Sequence, residues 1–345
     1  MAEIRLIFSG VGGVTKNLTR LLQTRDGIRI VGALSRNADY AGIDLGVHAG
    51  VEPLGVAIST DRHHVFAQDA DLLLIATTSF LDEVAVDIYD GIDRGLNVVT
   101  TAEEAAYPWS TDELASVKID GAARRRGVSV LGAGLNPGFI FDALFLTASG
   151  ICWDVEKISF RRVVDVSGFS ATVQRRLGLG YSPEEFDAGV ANGTVRGHIG
   201  FPQSFNLAAK CLGRGLERIA KQFEPHIATG ASSGTELAIE PGQTAGFTQR
   251  VTGFHDNDPW IEAEFVAHVD LPLLQLQAED TIDIEGSNPV RLRLSPGCNP
   301  QLGTAGMLAS CIPRVVQAAA GFLTVADLAL PHCRLGANEE TLPQG

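Results

Sequence analysis

The chain has 345 residues, long for one domain and natural for two, and its 45% hydrophobic and 20% charged residues are those of a globular protein with a sizeable core. A formal net charge of −14 argues against nucleic acid or an anionic membrane surface as a partner, because both call for a basic face.

The N-terminus, MAEIRLIFSG, carries Glu3 where a signal peptide has a basic start, and no apolar run reaches bilayer length, so the chain reads as cytoplasmic. Short apolar runs then recur at 4–10, 28–34, 54–58, 71–78, 96–101 and 128–134, with helical stretches at 16–22, 80–95 and 111–127 between them. Near-continuous apolar strands alternating with helices predict a doubly wound parallel sheet covered on both faces. After Gly138 the texture changes. Segments 156–168, 245–256, 260–270, 281–286 and 290–295 alternate apolar and polar residues, as a half-exposed antiparallel or mixed sheet does. Helices interrupt it at 182–191, with Ser182 as N-cap, and at 201–213, ending on a glycine. The last segment, 302–328, reads as an apolar helix with an internal Pro313, then a glycine and a short turn, and is expected to return and pack on the first domain. The expected division is 1–135, completed by 302–345, for dinucleotide binding and 136–301 for substrate. Five cysteines, at 152, 211, 298, 311 and 333, are scattered, odd in number and without a C-x-x-C pair, so they read as reduced thiols and no metal site is expected.

Gly10, Gly12, Gly13 and Val14 follow the first strand and precede a helix. Glycines there permit a tight turn and a close approach to a pyrophosphate, whose charge suits the helix N-terminus. The third fingerprint position is Thr15 instead of glycine. The second strand ends at Ser35, Arg36 and Asn37, with no acid to accept hydrogen bonds from a ribose 2′-hydroxyl. Arg36 can cover a 2′-phosphate, so NADP(H) is favoured over NAD(H), the alternative being a solvated surface charge. Thr77 and Thr78 close another strand and line the same path, or cap the helix that follows.

Glu103 and Glu104 sit just past a strand end, where a carboxylate can act as general acid or base. Adjacent residues point apart in extended chain, so one of the two is expected to face the cofactor, with Glu104 preferred; a solvated acidic turn is the competing reading. His198 lies in a Gly-rich loop and His268 on an alternating strand, both as candidates for a substrate pocket or for structure alone. Arg161-Arg162 could hold an anion, with one of the pair facing solvent.

Six stretches, AGIDLGVHAGV (41–51), IATTSFLDEV (75–84), NVVTTAEEAAYP (97–108), GAGLNPGFIFDAL (132–144), GHIGFPQSF (197–205) and IPRVVQAAAGFLTVADLALP (312–331), span nearly the whole chain. Through them the chain resembles the 2,4-diaminopentanoate dehydrogenase group, which also holds NAD(P)H-dependent amine dehydrogenases and is related to dihydrodipicolinate reductases. The resemblance implies a Rossmann domain followed by an α+β substrate domain that pairs two subunits as a homodimer. It implies a catalytic glutamate in the AEE segment, and Gly134, Asn136 and Pro137 beside the nicotinamide, where Pro137 stiffens the backbone and the glycines let it pass close. It further implies reductive amination of a small ketone or aldehyde by ammonia and NADPH, run reversibly. The dihydrodipicolinate reductase pattern, a His-His segment followed by Lys and a Ser-Gly-Thr loop, is not found in the corresponding region. The apolar pocket candidates Phe139, Phe141, Phe169 and Trp153 favour an uncharged ketone or amine over a diamino acid, and the diamino-acid dehydrogenase remains the alternative. A nucleotide-binding regulator without turnover is the alternative from another class.

Overall fold

A computed structural model describes residues 3–230 and 236–336. The chain forms two compact units, 1–143 with 299–345 and 144–298. Among the described residues there are thirteen strands. In chain order they are β1 (Ile4–Ser9), β2 (Ile28–Leu34), β3 (Ile58–Ser59), β4 (Leu72–Ile75), β5 (Asn97–Thr100), β6 (Ser129–Gly132), β7 (Lys157–Asp165), β8 (Arg218–Ile227), β9 (Thr244–His255), β10 (Asp258–His268), β11 (Glu279–Glu285), β12 (Val290–Leu294) and β13 (Gly321–Leu323).

The first unit is a parallel sheet in the order β13-β6-β5-β4-β1-β2-β3. Leu6, Ile7 and Phe8 of β1 and Leu72–Ile75 of β4 are buried, as strands covered on both faces must be. Helices Gly13–Leu22, Leu81–Asp93 and Glu113–Arg126 follow β1, β4 and β5. The α/β Rossmann-type sheet expected from the apolar runs is therefore present. The run 54–58 is an exception, since only Ile58–Ser59 pairs with β2. The preceding residues belong to a loop gathered around Asp44, whose carboxylate accepts the amides of Gly46, Val47, Leu54 and Val56 at 2.7–3.3 Å.

The return segment is a helix, Pro300–Val315, packed along Gly13–Leu22, followed by β13 on the outer edge of β6. Pro313 sits in the last turn of that helix, which ends near it as a proline dictates. β13, at three residues, falls where the sequence pattern reads a glycine and a short turn after the helix.

The second unit is a mixed sheet in the order β12-β11-β7-β10-β9-β8. Pairs β10–β7 are parallel and the rest antiparallel. β8 was not anticipated: Arg218–Ile227 is an edge strand with exposed polar residues and Pro225, a composition that hides a strand. Helix Pro183–Asn192 opens with a complete capping box from Ser182 and Glu185, and helix Phe201–Leu212 ends at left-handed Gly213. No helix among the described residues is long and apolar enough to cross a membrane.

Candidate functional site

The strand order of the first unit reverses between β1 and β4, and ligands of such sheets bind beyond the strand ends at that point. The Gly-rich loop leaves β1 there. Gly10 has φ +99°, and a β-carbon on it would lie 2.5 Å from the Ala76 carbonyl oxygen and 3.1 Å from Thr77 Cγ2. Only glycine brings the two loops this close. Gly12 precedes the helix with no side-chain cap, and a β-carbon there would meet nothing, so the first amides of Gly13–Leu22 stay open to an anion. Thr15 at the third fingerprint position is fully buried, and its hydroxyl donates to the Gly12 carbonyl at 3.0 Å, so a threonine serves where glycine is usual. Behind the loop, Ser9 donates to buried Asp87 at 2.5 Å, and Arg62 pairs with Asp87 and Asp90.

Beyond β2, Ser35 is buried and its Oγ accepts the Asn37 amide at 3.1 Å, while Asn37 Oδ1 caps the turn Ala38–Tyr40. Arg36 between them is exposed and has no hydrogen bond or ion pair among the described residues. A side chain that sequence reasoning passed over stands nearby. His48 Nε2 meets the Val11 carbonyl at 2.9 Å, and its ring lies 4.5 Å from that of Tyr40. The Asp44-centred loop fixes His48 in that place. No local pattern signals this, because the contact joins residues 37 apart.

The two glutamates lie on a 3₁₀ turn, Glu103–Ala106, past the end of β5, and both are half-buried. Gly132 of β6 makes room for this turn, because a β-carbon there would overlap the backbone of Ala105 and Ala106. Ser79 Oγ donates to Glu103 Oε1 at 3.0 Å. The Leu81 amide donates to Glu104 Oε2 at 2.8 Å, and the Glu104 amide donates to the Ser79 carbonyl at 3.1 Å. Helix Leu81–Asp93 has Phe80 as its N-cap residue and no cap from its own segment, so Glu104 supplies the acceptor.

Gly134 and Gly138 interlock around a cis Asn136-Pro137 peptide. Gly138 has φ +130°, and a β-carbon on it would strike the Gly134 backbone. Asp142 accepts the Gly138 amide at 2.6 Å. Both polar atoms of the Asn136 amide are buried without a hydrogen-bond partner among the described residues. An unpaired buried amide is costly, and a carboxamide that both donates and accepts would satisfy it. The backbone then runs as a widened π-helical stretch, Phe139–Leu144, into the short helix Phe145–Ser149. Phe139 is half-buried and Phe141 fully buried.

In the second unit the two candidate histidines lie on opposite faces of the sheet. His198 belongs to a loop clamped by buried Gln249. The His198 amide donates to Gln249 Oε1 at 2.8 Å, and Gln249 Nε2 donates back to the His198 carbonyl at 3.0 Å. Its ring stands edge-on to Phe201 at 4.6 Å and lies 5.7 Å from Phe265. His268, three residues beyond Phe265 on β10, points the other way. Its Nδ1 accepts the Asp270 amide at 2.9 Å, its ring is 5.7 Å from that of His226, and burial pushes both imidazoles below their ordinary pKa. Phe169 is half-buried in the turn after β7, and Trp153 is 87% exposed on the surface of this unit instead of lining a pocket. The Arg161-Arg162 pair is already committed, Arg161 to Glu264 and Glu279 and Arg162 to Asp280. Neither faces bare solvent as an anion clamp.

Residues 139–344 match the model of the 2,4-diaminopentanoate dehydrogenase C-terminal domain. The chain is 30% identical over 341 residues to a 2,4-diaminopentanoate dehydrogenase of Acetoanaerobium sticklandii, covering 97% of this chain and 96% of the relative. It superposes on an amine dehydrogenase of Mycobacterium smegmatis with a TM-score of 0.86 and 26% identity, over 97% of this chain and 99% of that one. An Agrobacterium radiobacter oxidoreductase solved with NAD+, L-tartaric acid and magnesium shares the fold, with a TM-score of 0.57 and 14% identity over 94% and 92% of the two chains.

Proposed function

This chain belongs to the 2,4-diaminopentanoate dehydrogenase family, and from that premise we propose that it is an NADP-preferring amine dehydrogenase, joining ammonia to a small ketone or aldehyde and running reversibly. The class is that of NAD(P)-dependent oxidoreductases acting on amines. The observation that carries the reading to chemistry is the pair of half-buried glutamates gathered on Ser79 at the ends of β4 and β5.

In this reading Gly10, Gly12, Gly13 and Val14 hold the pyrophosphate, Ser35, Arg36 and Asn37 the 2′-phosphate end, and Thr77 and Thr78 the wall between them. Gly134, Asn136 and Pro137 hold the nicotinamide end, where the unsatisfied Asn136 amide suits its carboxamide. A bound nicotinamide supplies or accepts the hydride. Glu104, or Glu103 beside it, would take a proton from ammonium so that ammonia attacks the carbonyl carbon, and would give a proton back to the hydroxyl that leaves the carbinolamine as water. Holding amine and carbonyl together supplies much of the rate, and the proton transfers add about 10²–10⁴-fold. NADP preference is supported by unpaired Arg36 and by the lack of an acid at the end of β2. The second unit would supply substrate-pocket residues, with Phe169 and His198 as its candidates, while His268 lies on the opposite face of its sheet and Phe139 and Phe141 belong to the first unit; the second unit would also pair two copies in a cytoplasmic homodimer.

The test is loss of NADPH absorbance with cyclohexanone or a short aldehyde, with and without ammonium at mildly alkaline pH. Loss that requires ammonium is expected. Loss without it would make the protein a carbonyl reductase. A second reading, a dehydrogenase of 2,4-diaminopentanoate or a similar diamino acid, is favoured by the 30% identical relative. It predicts turnover only with carboxylate-bearing amines.

A further inference from the structure

The first turn of helix Pro300–Val315 lies against both ends of the cofactor site, although it is some 290 residues from the Gly-rich loop. Asn299 caps the turn, its Oδ1 accepting the amides of Gln301 and Leu302 at 3.1 and 3.0 Å. Gln301 and Thr304 are three residues apart and so share a face. The Gln301 carboxamide rests where Gly13 has no side chain. A β-carbon at Gly13 would lie 2.9 Å from its Oε1 and 3.3 Å from its Nε2. Thr304 Oγ1 accepts the Leu135 amide at 3.3 Å, one residue before Asn136, and bare Gly303 lets Leu135 pack in contact.

A chain of side chains sets which end of the Gln301 amide is engaged. Arg20 Nε donates to the Ala49 carbonyl at 2.5 Å and its Nη1 to Asn17 Oδ1 at 3.3 Å, while Asn17 Nδ2 donates to Gln301 Oε1 at 3.3 Å. The acceptor of Gln301 is thereby used. Gln301 is exposed, and its donor, Nε2, has no partner among the described residues and lies beside Gly13, the first residue of the helix.

We propose that Gln301 is a ligand of the cofactor's pyrophosphate, and that the same turn, through Thr304, ties the phosphate-binding loop to the Asn136–Pro137 loop. This rests on the reading of Gly10–Val14 as the dinucleotide loop. A neutral donor is well matched there. It adds a directed hydrogen bond to an anion already favoured by the helix N-terminus, and Gly13 is the residue whose missing side chain admits it.

Calorimetric titration of wild type and Gln301→Ala with NADPH, ADP-ribose and adenosine 2′-monophosphate tests the ligand. The last probe has no pyrophosphate. Gln301→Ala is expected to weaken NADPH and ADP-ribose by about 10-fold or more, the scale of a hydrogen bond to a charged group, and to leave adenosine 2′-monophosphate unchanged. Unchanged ADP-ribose affinity overturns the proposal. So does an equal loss for all three probes, which would mean general loosening of the unit. If wild type binds none of them, the reading of the Gly-rich loop falls together with the proposal, whereas tight wild-type binding that Gln301→Ala leaves intact fells the proposal alone. Thr304→Val is expected to lower kcat while ADP-ribose affinity holds, and Thr304→Ser to restore it. An unaltered kcat in Thr304→Val removes the tie between the loops.

Discussion

Glu104 accepts the amide hydrogen of Leu81 at 2.8 Å, so a carboxylate at the end of one strand caps the helix that follows its neighbour. The geometry fixes the side chain at the start of that helix. Glu104→Gln preserves an acceptor for Leu81 and removes the carboxylate proposed as the base. It is expected to lower kcat by about 10²-fold or more with little change in Tm. Glu104→Ala also removes the cap, adding a stability loss of about 1 kcal/mol. Glu103→Gln keeps its bond from Ser79 and is expected to cost less activity. Steady-state rates and thermal melts on the three variants check this, and a larger kcat loss in Glu103→Gln would reverse the assignment.

Arg36 stands exposed between two residues that are held by each other. Arg36→Leu is expected to weaken NADPH by about 10–100-fold, the scale of charged hydrogen bonds, and to leave NADH within about twofold. Fluorescence titration with both cofactors reads the ratio. Equal losses would show that Arg36 does not touch the 2′ position.

Asp44 gathers backbone amides from both ends of its loop. Burial works to raise its pKa, but the hydrogen bonds from Leu54, Val47, Gly46 and Gly55 outweigh it and hold the carboxyl below its ordinary 3.8. The folded pKa is depressed, so this stabilisation is full above the unfolded pKa and is lost as pH falls through the folded one. At pH 7 Asp44→Ala is expected to cost about 1 kcal/mol or somewhat more, as loss of a helix cap does. In urea melts repeated towards pH 3 the gap between variant and wild type should close. A gap that stays constant would show that the charge contributes nothing.

Arg162 and Asp280 form a buried pair in the second unit, joined at 2.8 Å and completed by the Cys298 carbonyl and amide. Burial pushes the guanidinium below and the carboxyl above their ordinary values, and mutual attraction opposes both. Asp280→Asn leaves the arginine uncompensated and is expected to cost about 3–5 kcal/mol in chemical denaturation. The double variant Arg162→Met with Asp280→Leu should recover much of that loss.

The first unit was readable because parallel strands buried on both faces write themselves as unbroken apolar runs, and because Gly10 and Gly138 sit where the backbone forbids other residues. The glutamates could be found from their place after a strand, but not their partners, since Ser79 and Leu81 come from another strand's exit. β8 escaped notice because an edge strand alternates weakly and carries Pro225. β13 escaped because three residues have no period. His48, Gln301 and Thr304 were invisible for a different reason. Their importance lies entirely in contacts with distant loops, and a helix turn holding Gln and Thr looks like any other. Arg161-Arg162 looks able to hold an anion because charge is visible in a sequence whereas its neutralisation by Glu264, Glu279 and Asp280 is not.

The outer edge of β6 is covered by a strand drawn from residues 321–323, and the second unit is spliced into the first between 143 and 299. During synthesis the ribosome therefore releases six strands of the Rossmann sheet long before the seventh exists. The inserted unit has all its strands first and is expected to fold while the first still waits with an open apolar edge. A nascent chain stalled after residue 298 would present that edge to any unpaired strand, making it a substrate for chaperones, and emergence of residues 299–323 is the event that closes it.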